Sequence, residues 1–354
     1  MGDVEVLRDA AVLIDGDQIA WVGPRADAPR ADQVTEVTGV MLPGMIDCHT
    51  HGVFGAARLD DHQRRALGED YQTIAAAGGG ILQSVRDVRA RPEAELEALT
   101  RTRLATLLAH GTTTIEVKSG YGLELEAELK QLRVIQRLAA AQPATLIATF
   151  LGAHEVPPEH RGNRAAYVRL LCEEMIPAVT QTGLARCCDV FCEPGVFSAA
   201  EARSILTAAQ RHGLALKLHA DELEGSGGAE LAAELGALSA DHLAAVSEAG
   251  AAVALATDFN PGTSPTVSLP LVMALGVSQL GLRHTEALTA VTVNAAAALG
   301  LAGERGQLAP GFVADLVVAA VEDWREVAYW VGANVVSAVW TGGSACPTPT
   351  VPVS

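Results

Sequence analysis

Positive charge is the first thing this chain lacks. Its 354 residues carry 25 Lys and Arg against 42 Asp and Glu, a net charge of −17. A protein that tracks nucleic-acid phosphates needs a basic patch, so that class of partner is excluded. Aromatic residues are also scarce, at 4%. No apolar stretch approaches the roughly 18 uninterrupted residues of a membrane span, and no basic segment followed by an apolar run opens the chain. The expectation is a soluble cytoplasmic protein that engages neither nucleic acid nor membrane. The six cysteines, at 48, 172, 187, 188, 192 and 346, have no framework spacing. A zinc ribbon needs a second matching pair, so buried free thiols are expected.

What is present is ample core material, 49% hydrophobic residues, in a length that suits one large α/β barrel or two ordinary domains. Residues 1–40 read as short strands: AAVLIDG, QIAWVG and VTEVTG, with Asp15-Gly16-Asp17 as a hairpin turn. From Met45 the pattern changes to short apolar runs alternating with helices. Helices are expected over 71–77, 93–110, 125–141, 165–182, 198–211 and 227–235, the fifth capped by Ser198. Strands are expected at 45–51, at TTTIEVK, TLIATFLGA, RCCDVFC, LALKLHA and ALSADHL, and ILQSVRD stands in a strand's place after Gly78-Gly79-Gly80. Strands and helices alternating in this way make βαβ units and a parallel sheet, and more than six units favour a (β/α)8-type TIM barrel. Two further helices are expected near 270–275 and 285–300. The short strands after Gly306 then complete the N-terminal unit. The domains read as 1–44 plus 306–354, a small composite β-sandwich, around a barrel of 45–305.

The chemistry centres on LPGMIDCHTH, Leu42–His51. Alternate residues of an extended strand share a face, so His49 and His51 point the same way and can grip one metal ion. A surface strand that merely carries two histidines is the plainer alternative. Against it stands a series of ionisable residues at successive strand ends: Lys118, Tyr121, His154, Glu155, Glu193, His219, Asp221, Glu222, Asp241, His242 and Asp258. Barrel enzymes put their active sites at the carboxyl ends of their strands.

With these residues laid out, the chain resembles the amidohydrolase superfamily, metal-dependent hydrolases. The motifs KSGYGL, GAHEVPPE and TDFNPGTSP narrow the resemblance to the imidazolonepropionase family of histidine degradation. The resemblance implies a homodimer and one zinc or iron ion held by His49, His51, His219 and Asp258. It implies catalytic roles for Glu222, which handles the attacking water and its proton, for His242, which faces the substrate carbonyl, and for Asp258. Substrate positions follow from it at Arg58, Tyr121, His154, Glu222, Asn260, Gly262 and Thr263. The reaction it implies is hydrolysis of the cyclic amide of 4-imidazolone-5-propanoate to N-formimino-L-glutamate, with Arg58 suited to the propanoate because a guanidinium fork matches a carboxylate. Lys118 is not placed like the carboxylated lysine of binuclear relatives, so a single metal is expected.

One departure from the family pattern is large. Only 16 positions separate His242 from Asp258, enough for one short crossover helix in AAVSEAG, where the family has a full strand-and-helix unit. A barrel that loses a strand either closes on seven or keeps a gap with unpaired edges. Two alternatives therefore stand beside the main reading: another cyclic amidohydrolase or an aminohydrolase of a nitrogen heterocycle, and a metal-binding barrel inactivated by the missing βα unit.

Overall fold

The computed structural model describes residues 4–245 and 252–347. Its centre is a curled sheet of six parallel strands in the order β4-β5-β6-β7-β8-β9. These strands are Met45–Asp47, Thr112–Lys118, Thr145–Ala153, Cys187–Cys192, Ala215–Ala220 and Ser239–His242. Helices between them, such as Glu93–Ala109, Leu125–Ala141 and Ala199–Arg211, cover the outer face. The last of these is capped as the sequence suggests. Ser198 accepts from the Glu201 amide, and Glu201 accepts from the Ser198 amide, so both amides at the helix start are satisfied.

Strands also come from the two ends of the chain. β1 (Ala10–Asp15) and β2 (Gln18–Pro24) form a hairpin, and β3 (Val40–Pro43) pairs antiparallel with β10 (Leu316–Ala319). β11 (Val336–Thr341) and β12 (Ser344–Ala345) extend that second sheet. Ile19, Ala314 and Leu316 form a small buried core shared by hairpin and sheet.

Several local expectations change. VTEVTG is not a strand: Val34 and Val37 are exposed and the third strand starts at Val40, because no neighbouring strand offers partners to residues 34–39. ILQSVRD is part of the helix Ile81–Ala90, whose Ile81, Leu82, Val85 and Val88 fall on one buried helical face. The helix expected over 165–182 is Arg164–Leu170 and Ile176–Thr182 joined by a π-helical turn at Leu171–Met175. Pro177 lacks the amide that would bond four residues back, and the helix widens there.

Past β9 the chain reaches the 16-position departure. Most of the crossover helix expected in AAVSEAG lies outside the described residues. Beyond it, residues 257–259 come to lie beside the chain at the end of β4, where His51 N donates to Phe259 O (2.8 Å) and Thr50 and Phe259 form a parallel bridge. Among the described residues no backbone pairing joins β9 to 252–259, so the sheet is open on that flank. Buried Asp47 ties this last segment in place, accepting from the Thr257 amide (3.1 Å) and hydroxyl (2.5 Å). Burial pushes its carboxyl up to about 7. The unfolded chain ionises this group near pH 4 and the fold only near 7, so the group costs stability progressively as pH rises between them. Asp47→Asn is expected to melt increasingly above the parent, both metal-free, as pH is raised from 4.5 to 7.5. An equal offset at every pH would show that Asp47 stays ionised in the fold.

Candidate metal centre and active site

His49, Thr50 and His51 lie between two neighbours, which hold them extended. On the β5 side Lys118 N donates to Thr50 O (2.9 Å) and Thr50 Oγ1 to Glu116 O (2.6 Å); on the other side lies Phe259. Thus the two imidazoles point into the curl of the sheet, as the alternation predicts. There they meet His219 from β8. The Nε2 atoms of His49 and His219 each lie 3.3 Å from His51 Nε2, and all three rings are buried. Asp258 Oδ1 stands 3.6 Å from the Nε2 atoms of His49 and His51.

Two of the three outward nitrogens face carboxylates, while His51 Nδ1 is buried without a hydrogen-bond partner. His49 Nδ1 donates to Asp241 Oδ2 at 2.6 Å, and His219 Nδ1 lies 3.0 Å from Asp189 Oδ2. A proton held at Nδ1 leaves the Nε2 lone pair facing inward. With His51 Nε2 between them, the three inward nitrogens lie in mutual contact, and a cation among them satisfies all three. Burial holds His49 and His51 well below the ordinary histidine range, so both are neutral, the form a metal requires. His219 is instead raised: burial lowers it, but the Asp189 carboxylate outweighs that. Burial also brings Asp258 up to about 7. Both Asp258 and His242 adopt positive φ, 49° and 78°, a strain that non-glycine residues carry mainly at functional sites. The donor set fits a metal ion.

Beside the cluster opens a cavity of about 160 Å³ lined by His51, Arg58, Arg65, Ile81, Tyr121, His154, Phe191, His219, Glu222, Leu223, His242, Asp258, Asn260 and Thr263. Of the residues singled out in the sequence, it gathers His51, Arg58, Tyr121, His154, His219, Glu222, His242, Asp258, Asn260 and Thr263. The His154 ring stacks on His51 with centroids 4.9 Å apart, and its Nδ1 meets Gly120 O (2.9 Å). Burial brings His154 down to about 3. His242, lowered by burial, has Nε2 3.7 Å from Glu222 Oε2. Arg58 is only 4% exposed. Its Nε and Nη1 lack a hydrogen-bond partner, and the nearest anion, Asp61, lies 3.6 Å from Nε.

Other singled-out residues do different work. Gly262 lies directly against Arg58, and a Cβ there would collide with the guanidinium. Asn260 organises its own loop: Oδ1 accepts from the amides of Gly262 and Thr263, and Nδ2 donates to Asp258 Oδ2 (3.1 Å) and Thr263 Oγ1 (2.8 Å). Glu193 accepts from the amides of Glu222, Leu223 and Glu224 and so shapes the loop that carries Glu222. Asp221 likewise caps the turn into residues 226–229. Glu155 bonds its neighbour's amide and is absent from the cavity wall.

Sequence reasoning missed Arg65, which donates to Gly262 O, and the buried charges Glu116, Asp189 and Lys217 beneath the cluster. For Glu116 and Lys217 a signal exists, a charge at every second position of otherwise apolar strands, IEVK and LKLH; Arg65 and Asp189 lie in neither. The cysteines are all free; 48, 187, 188 and 192 are buried and 172 and 346 partly so. No helix among the described residues is long and apolar enough to cross a membrane.

A parallel sheet that converges three histidines and an aspartate at its carboxyl edge defines an amidohydrolase, and the model of the Amidohydrolase family matches residues 40–243 and 233–346. The same fold recurs in the crystal structure of A. niger ochratoxinase, with a TM-score of 0.73 at 20% identity over 99% of this chain and 94% of that one. Imidazolonepropionase of Deinococcus radiodurans is 44% identical over 383 aligned residues, covering 97% of this chain and 94% of the relative. That of Solibacter usitatus is 44% identical as well, covering 97% and 92%. The chain belongs to the imidazolonepropionase family of amidohydrolases.

Proposed function

We propose that this chain hydrolyses the ring amide of 4-imidazolone-5-propanoate to N-formimino-L-glutamate, with one zinc or iron ion held by His49, His51, His219 and Asp258. The observation that carries the choice of substrate is Arg58, a buried guanidinium with unpaired nitrogens in the same small cavity as the metal cluster. A buried cation without a full partner is costly, and a propanoate carboxylate relieves it. Uncharged ureides and aminated heterocycles leave it unrelieved, which argues against the other cyclic-amide and aminohydrolase readings.

The ion, when bound, lowers the pKa of a water toward about 7 and polarises a carbonyl. The chain's own residues supply the rest. Arg58 takes the propanoate and fixes the ring; Tyr121 and His154 flank it, and the loop held by Asn260, with Gly262 and Thr263, borders it. His242, neutral through burial, donates to the carbonyl oxygen as negative charge develops there. Glu222 takes the proton of the attacking water and returns it to the ring nitrogen as the C–N bond breaks. The water's oxygen remains on carbon as a new carboxyl group, whose remaining proton passes to solvent to leave the carboxylate, so atoms and charge balance.

Loss of the substrate's ultraviolet absorbance, followed beside a metal count per chain, tests the reading; turnover of neutral ureides in preference to imidazolone-propanoate ends it. Gly262→Ala, which pushes a methyl into Arg58, is expected to raise KM about tenfold or more with a smaller change in kcat. An unchanged KM would mean the carboxylate is bound elsewhere.

The finer architecture belongs to the same reading. The alignment with the Deinococcus relative spans 383 positions, and 97% of this chain is about 343 residues, so some 40 aligned positions face gaps in it. That is about one βα unit, and the open flank beside β9 is where a seventh strand would stand. The division into 1–44 plus 306–354 and 45–305 is supported by the β3–β10 pairing, and a cytoplasmic homodimer completes the proposal.

A further inference from the structure

Below the three histidines lies a layer of buried charge that the reaction does not touch. Lys118 Nζ is fully buried, 2.6 Å from Glu116 Oε1 and 2.7 Å from Asp189 Oδ2, with Asp241 Oδ2 at 3.8 Å. Asp189 in turn accepts from the backbone amide of His219 (3.1 Å) and faces its Nδ1, while Asp241 accepts from His49 Nδ1. Lys217, also buried, lies 3.5 Å from Asp241. One ammonium thus stands between the two carboxylates that orient two of the three histidines. We propose that Lys118 is a positioning residue for the metal site: its ammonium fixes the Asp189 carboxylate, and through it the His219 ring, so that His219 presents Nε2 to the ion, and its reach toward Asp241 steadies the partner of His49 in the same way.

The physical argument is about what happens without the ammonium. Asp189 would lose its 2.7 Å contact and be left beside Glu116 and Asp241, two carboxylates that the same ammonium holds near it, and like charges push apart. A carboxylate that has moved no longer meets the imidazole N–H, and the ring it held is free to turn its Nε2 away from the cluster. Outer partners of metal-binding histidines typically govern affinity by about 10- to 100-fold. The side chain stays out of the cavity and touches neither substrate nor any Nε2 atom, so its effect belongs to metal binding and not to KM.

The inference rests on the metal site proposed above, and zinc affinity, measured on metal-free chain by competition with a chelator, separates the two. Two variants are compared with the parent: Lys118→Met, and Lys118→Met/Glu116→Gln, which removes one charge of each sign and leaves the net charge of the layer unchanged. Both are expected to bind zinc about tenfold or more weakly while any substrate turnover at saturating zinc keeps the parent's KM. The double variant decides the matter if the single one does not fold. A parental zinc affinity in the double variant, whatever its melting temperature, would mean that Lys118 only holds the strands together, and overturns the inference. A parent chain that binds neither zinc nor iron ends the metal reading as well.

Discussion

His219→Ala is expected to abolish turnover of imidazolone-propanoate, a loss of about 10⁴-fold or more, and to drop bound metal from about one ion per chain to near zero. The size follows from geometry. His219 Nε2 closes a three-nitrogen cluster whose other members are only 3.3 Å apart, and no other imidazole has its Nε2 in that group. His154 stacks on His51 but bonds Gly120 O, and His242 is turned to Glu222, so neither is set to replace it. The substitution also strips Asp189 of one partner, but Lys118 and the backbone amide of residue 219 still hold that carboxylate. The fold is therefore expected to persist, with cooperative melting of the metal-free variant close to that of the metal-free parent. Full metal content with full activity would place the reaction centre elsewhere.

How far the sequence discloses such a site depends on which periodicity carries it. The HxH pair was legible because strand alternation is strict: once 48–51 is extended, His49 and His51 must share a face. His219, His242 and Asp258 were legible for the same reason, each ending an apolar run where a barrel presents its chemistry. The buried layer was not, since Glu116, Asp189 and Lys217 read as stray charges until the curl of the sheet turns three strands inward on one another. Nor were Ile81 and Phe191 in the cavity wall, because apolar side chains that line a site have the same pattern as those that fill a core. The Ile81–Ala90 helix was obscured by the glycines at 78–80: they end one element without fixing the type of the next, and the spacing of Val85 and Val88 is the better guide. The shortened link from His242 to Asp258 was visible as a count of residues. Its structural consequence, an open flank beside β9 with the last segment carried over to β4, depends on the Asp47–Thr257 tether, which no local pattern announces.

Glu222→Gln separates chemistry from metal binding. Glu222 lines the cavity, with Oε2 3.7 Å from His242 Nε2, and it is absent from the three-nitrogen cluster. Its loop is held by the Glu193 carboxylate through the backbone amides of residues 222–224, contacts that the amide side chain leaves intact. Glutamine matches glutamate in shape but cannot accept a proton, so the variant is expected to keep its metal and its KM within about threefold while kcat falls by about 10²- to 10⁴-fold, the usual range for removing a general acid–base group. The contrast with Gly262→Ala is the sharper test: one change acts on the carboxylate end of the substrate through Arg58 and moves KM, the other acts at the breaking bond and moves kcat. If Glu222→Gln instead lost its metal, Glu222 would be a ligand and the proton would have to travel through Asp258, whose carboxyl burial already raises to about 7.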